Sequence, residues 1–207
     1  IVNAIYDTRS AKRNLYCKQI ADYISSNIPL EGTTSLAFFN SYEFLNSILI
    51  FINSTSINKI IYKSGSSIGE ICKKIDNQKS NIIAIPYNSI LSEGINLPVK
   101  LSSLFCVGFP FPVPDDIYNV HSAILDDNNK NSFNLLSLFP ALNETLQASG
   151  RIGRKKLHDK EFLSVNENNS NYSSNKNTET LFFISSTFLH PVVLDQIYDN
   201  YDEIDII

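Results

Sequence analysis

Five short, mostly apolar runs punctuate this chain: SLAFF (35–39), KIIY (59–62), NIIAI (81–85), LFCVG (104–108) and LFFI (181–184). They are too short to be buried helices, and they lack the polar alternation of a half-exposed strand. Such runs are expected of strands covered on both faces. Between them lie SYEFLNSILIFINS (41–54), SSIGEICKKID (66–76) and LNETLQASGRIGRKK (142–156), each with apolar residues at roughly helical spacing. A further helix is expected from about Ser10 to Asn27 and another after Pro191. In the first inter-strand segment Ser41 stands as a cap, with Phe44, Leu45, Ile48 and Leu49 on one side. Strand–helix alternation predicts a mostly parallel sheet with right-handed crossovers and helices on both faces, a three-layer α/β fold. The 207 residues suit one domain, 1–207.

Two stretches depart from the alternation. DDNNKNSFN (126–134) reads as a polar loop, and SVNENNSNYSSNKNTET (164–180) as a flexible Asn/Ser-rich insertion too poor in apolar residues to order itself. In open parallel sheets ligands gather at the carboxyl ends of the strands. The segments there are NSYE, KSGSS, PYNSILSEGINLP and FPFPVPDD, rich in the Ser, Gly, Asn and Pro of functional loops.

Net charge is −4, so any site for a polyanion must be a local patch. The basic run nearest to hand is Arg151, Arg154, Lys155 and Lys156. Cys17, Cys72 and Cys106 form no C-x-x-C pair, which argues against a zinc site and a disulfide framework and for a reduced compartment. Cys106, inside LFCVG, is expected to be a buried inert thiol. His121, His158 and His190 are far apart and lack partners at metal spacing, so no metal site is assigned. No stretch approaches the roughly twenty apolar residues of a membrane span, and no secretory leader opens the chain. A soluble protein that is not secreted is expected, cytoplasmic in a prokaryote or nuclear in a eukaryote. The absence of methionine, even at the start, points to a piece of a longer protein.

LSEGINLPVKLSSLFCVGFPFPVPDD (91–116) is the most specific stretch. Gly94 lets backbone approach a ligand, and Glu93 has the chemistry to accept from a ribose hydroxyl or order a neighbouring loop; a turn with a solvated Glu is equally consistent. Four segments taken in order resemble the motifs of the second motor domain of XPD/DinG-type superfamily 2 DNA helicases. TTSLAFFNSYEFL (33–45) is similar to motif IV, LSEGINLP (91–98) to motif V, and GFPFPVPDD (108–116) to the proline-rich segment after it. QASGRIGR (147–154) matches the Q-x-x-G-R-x-x-R of motif VI.

The resemblance implies a RecA-like three-layer fold that closes on ATP and Mg2+ held mainly by a preceding motor domain. Arg151 and Arg154, three apart on a helix, would reach the transferring γ-phosphate as arginine fingers. Gln147, Glu93, Gly94 and Asn96 would contribute to the nucleotide side. Ser41 and Tyr42 would meet the backbone of single-stranded DNA, Ser64 with Gly65 and Ser66 would add contacts to phosphate, and Phe109 and Phe111 would lie near bases. The family also implies 5′-to-3′ movement and, in many members, an iron–sulfur cluster elsewhere in the full-length protein.

The sequence departs from the family in three places. Asn96 stands where motif V usually has Asp, the Asn-rich tract follows Arg154, and the last strand ends FISSTFLHP in place of an Asp-x-Arg element. No G-x-x-x-x-G-K-[ST] loop and no D-E-x-H run occurs, so this chain alone is expected to be inactive. The alternative is a degenerate RecA-like domain serving as a DNA-binding or protein-docking module. An unrelated dinucleotide-binding enzyme is disfavoured because no G-x-G-x-x-G follows the first strand.

Overall fold

The computed structural model describes residues 11–29, 32–53, 55–87, 89, 97–128, 130–150 and 180–200. The elements in chain order are α1 (Ala11–Asn27), β1 (Thr34–Phe39), α2 (Tyr42–Leu49), β2 (Ile57–Ile61), α3 (Ile68–Cys72), β3 (Ser80–Pro86), β4 (Leu101–Val107) and α4 (Asp116–Asp127). Then come α5 over 132–150, with a π-helical turn at Asn134–Leu138, β5 (Thr180–Ile184), a 3₁₀ turn (Ser186–Leu189) and α6 (Pro191–Asn200). All five expected runs are strands, and they pair in parallel in the order β2-β3-β1-β4-β5.

The connection from β1 to β2 runs toward one edge of the sheet, whereas every later one runs the other way. With crossovers of one hand, that reversal sends α2 to the opposite face from the later helices. The core divides accordingly. Leu36, Phe38, Ile83, Ile85, Leu104 and Cys106 point toward α3, α5 and α6, meeting Ile71, Leu142 and Val193. Their neighbours Ala37, Phe39, Ile82, Ala84, Phe105 and Val107 point toward α1 and α2, meeting Ile20, Ile24, Leu45 and Ile48. The period of two that looked uninterrupted in the sequence is therefore used on both sides.

Helix α2 begins as expected. Ser41 Oγ accepts from Phe44 N at 3.2 Å, and Phe44, Leu45, Ile48 and Leu49 are buried. It stops at Leu49, short of 54, where the Lys59 ammonium donates to the Leu49 and Ile52 carbonyls, both at 3.0 Å. A cation at a helix C-terminus satisfies orphan carbonyls and the negative end of the dipole. Helix α3 is a single capped turn, with the Ser67 hydroxyl accepting from Glu70 N and the Glu70 carboxylate accepting from Ser67 N, so only part of 66–76 is helical.

A further expectation is corrected. The segment 126–134 is not one continuous loop: α4 runs to Asp127 and α5 starts at residue 132. Asp115 caps α4 by accepting from Tyr118 N at 2.7 Å, and Asn131 Oδ1 accepts from Asn134 N at 3.0 Å. The Asn/Ser tract 164–180 lies outside the described residues except for Thr180, the first residue of β5.

Asn81, fully buried at the amino end of β3, is the polar knot of the lower edge. Its Oδ1 accepts from Asp76 N and Asn58 Nδ2, both at 2.8 Å, and its Nδ2 donates to the Asp76 and Lys79 carbonyls at 2.9 and 3.1 Å. Replacing it with Leu leaves those partly buried groups without their partner. Asn81→Leu is expected to lower the unfolding free energy of the 207-residue chain by about 2–4 kcal/mol, read from urea denaturation.

Candidate functional site

The carboxyl edge of the sheet gathers the loops that the sequence singled out. β1, in the centre, delivers Asn40, Ser41 and Tyr42; β4, beside it, delivers Gly108 to Pro114; β2, at the edge, delivers Lys63, Ser64 and Gly65. Neighbouring strands lie roughly 4.8 Å apart. The Tyr42 and Phe111 loops are therefore adjacent, and the Ser64 loop lies two strands from that of Tyr42.

Gly108 fixes how closely the β1 and β4 loops meet. Its φ is +78°, its N–H donates to the Ile184 carbonyl at 2.9 Å, and a Cβ there would stand 2.7 Å from the Asn40 side-chain amide. Both the backbone conformation and the lack of space require glycine. Asn40 opens the NSYE segment, and its place directly after a buried strand is the sign of it in the sequence.

Ser41 and Tyr42 are exposed at the start of α2. The Ser41 oxygen serves the cap by accepting from Phe44 N at the positive end of the helix. Glu43, in the same turn, would oppose an anion, but Arg13 of α1 pairs with its carboxylate at 2.6 Å. Ser64 is exposed in a turn closed by Ser66 N donating to the Lys63 carbonyl at 2.9 Å, and Gly65 adopts φ +87° with open space around it.

The proline-rich loop presents Phe111, 39% exposed, between Phe109 at 5.0 Å and Phe133 at 5.7 Å between ring centroids. Phe109 itself is buried and packs against Phe188, so of the two loop phenylalanines only Phe111 is free to meet a ligand. A cleft of about 400 Å³ opens beside it, lined by Phe111, Phe133, Leu138, Thr187, Leu189 and His190. Its walls are mainly apolar and aromatic, with a hydroxyl and an imidazole at the rim. Phe133 and Thr187 escaped the sequence reading because one sits in the stretch read as a loop and the other follows the last strand.

Gln147 is exposed on α5, whose Leu138, Ala141, Leu142, Thr145, Ala148 and Ser149 face the core. Arg151, Arg154, Glu93, Gly94 and Asn96 lie outside the described residues. Beneath the site, Tyr87 stacks on Phe38 at 5.5 Å between centroids. Its hydroxyl is buried beside the Cys106 thiol and Thr145. Burial, and then the thiol beside it, raises the Tyr87 pKa well above its usual value, and burial pushes the Cys106 thiol up to about 12. Cys106 is thus inert, as expected. Cys17 is buried in the opposite layer, so the two thiols share no site.

The model of the family "Helicase C-terminal domain" matches residues 24–167. The chain belongs to that family. A search of curated proteins finds no match. Among solved structures, one called "XPD_APO" superposes with a TM-score of 0.67 at 21% identity, covering 95% of this chain and 36% of that one. Another, "XPD_Helicase", gives 0.60 at 21% identity, covering 95% of this chain and 32% of the other. This helicase C-terminal domain therefore shares the RecA-like fold of the XPD structures and spans about a third of their length. Among the described residues no helix is long and apolar enough to cross a membrane.

The buried Cys106 makes the domain sensitive to alkali. Its thiol keeps its proton in the fold to about pH 12, whereas an unperturbed thiol releases it near 9.0. The stabilisation is complete below about pH 9 and is lost as pH rises from there toward 12. In Cys106→Ala, the fall of unfolding free energy with pH over that window should be shallower than in the parent, whatever the shift at neutral pH.

Proposed function

We propose that this chain is the second motor domain of an ATP-dependent DNA helicase resembling XPD or DinG. The observation that carries the reading is the helicase family match over 24–167, combined with a fold that brings the loops of Ser41, Tyr42 and Phe111 to one edge of a RecA-like sheet. The partner would be the preceding motor domain of the same protein, which supplies the phosphate loop and the Mg2+ ligands missing here. Gln147, Glu93, Gly94 and Asn96 would line the nucleotide side of the closed cleft, and Arg151 and Arg154 would offset charge developing on the γ-phosphate.

Single-stranded DNA would cross the carboxyl edge. The Ser41 and Tyr42 hydroxyls and the Ser64 turn would take phosphate oxygens, and Phe111 offers an aromatic face for a base. Cycles of closure and release would step the motor along the strand, 5′-to-3′ by the family's habit. Any iron–sulfur cluster would belong to the rest of the full-length protein.

In that protein, Arg154→Ala should retain ATP binding and lose about a thousandfold of DNA-stimulated hydrolysis, measured as phosphate release. Equal turnover in variant and parent would remove Arg154 from the mechanism; no stimulation in either would favour a non-catalytic docking or DNA-binding module. Phe111→Ala should weaken single-stranded DNA binding by about 5- to 150-fold with ATP affinity unchanged, read by fluorescence anisotropy.

A further inference from the structure

Helix α4 is amphipathic in the reverse sense. Tyr118, Ser122 and Asp126, spaced four apart on one face, attach it to α5: the Tyr118 hydroxyl lies 2.8 Å from Ser137 Oγ, Ser122 Oγ donates to Ser132 Oγ at 3.0 Å, and Asp126 Oδ1 accepts from Ser132 N at 3.3 Å. On the opposite face Ile117, Val120 and Ile124 are 66%, 58% and 54% exposed, and no residue of α4 is buried. Surface helices ordinarily turn such a stripe toward the core. Here polar groups face the body, and the apolar stripe faces out.

The charges around the stripe restrict what covers it. Asp115 and Asp116 stand at its start and Asp127 at its end, with no Lys or Arg from 115 to 127; Lys130 follows, its N–H donating to the Leu125 carbonyl at 2.9 Å. Asp126 and Asp127 sit at the negative end of the helix dipole, with no basic residue in the last turn. Phosphate backbones and anionic lipid surfaces are repelled by this pattern. A second copy packed antiparallel about a twofold axis would set Asp116 of one chain against Asp127 of the other, acid against acid. The complement is a helix with an apolar i, i+3, i+7 stripe and basic residues at both ends.

We propose that the outward face of α4 docks a basic amphipathic helix of a separate protein. This does not depend on the motor reading, since neither nucleotide nor DNA residues enter it.

The test uses the full-length protein and a fluorescein-labelled, stapled helical peptide with Leu at i, i+3 and i+7 and Lys at each end. A control peptide of the same composition scatters its leucines around the helix. Saturable binding of the first peptide only is expected, weakened about tenfold or more by Val120→Asp and also weakened by Asp116→Asn/Asp127→Asn. Hydroxyl-radical footprinting should show Ile117, Val120 and Ile124 reactive in the free protein and protected by the peptide. Equal binding of both peptides, binding unaffected by Val120→Asp, or no binding at all overturns the proposal. Protection before any peptide is added also overturns it, pointing to the protein's own chain, or to a second copy if Val120→Asp dissociates a dimer.

Discussion

Everything in this domain is hung on β1. It is the central strand, hydrogen-bonded in parallel to β3 on one side and β4 on the other, and all six of its residues are buried. Leu36 and Phe38 join one layer of core, and Ala37 and Phe39 the other. A polar side chain at any of those four positions would lie in apolar surroundings with no route to water, a cost of the order of 2–7 kcal/mol unless a partner were found. The same strand aims Asn40, Ser41 and Tyr42 out of the sheet, so the positions of these loop residues are inherited from the packing beneath them.

The site is correspondingly stiff where it leaves the sheet and more open away from it. Gly108 lets the β4 exit lie against Asn40, and the prolines that follow limit the path of the loop to Phe111. The aromatic cleft beside Phe111 borrows its walls from α5 and from the 3₁₀ turn after β5. Three separate parts of the chain must therefore be in place before the cleft exists.

Much of this was legible in the sequence. Continuous apolar runs marked the described strands; in β1 and β3, buried on both faces, no polar alternation is admitted, while the edge strands β2 and β5 are only partly covered. Ser41 announced α2 because a side-chain oxygen is needed at the first turn. Helix α4 has no counterpart in the sequence reading because its apolar residues do not face the core: Ile117, Val120 and Ile124 follow helical spacing, but they lie between a proline-rich segment and a polar one, with aspartates at both ends. The premature end of α2 also went unread, since it depends on Lys59, a residue of the next strand reaching back to the helix. The pairing of Asn40 with Gly108 and the knot around Asn81 are non-local in the same way. Glu93, Gly94, Asn96, Arg151 and Arg154 keep only their sequence argument, since they lie outside the described residues.

The all-parallel sheet also governs how the domain comes together. No two of the described strands form a hairpin, and β1 pairs with β3 and β4, segments that leave the ribosome well after it. Closing such long loops before any pairing is rewarded makes folding slow. Until then TSLAFF is an unpaired, strongly β-forming segment, bare on both faces. Until β3 and β4 arrive, the central strand of the finished sheet is the segment of the nascent chain most open to self-association.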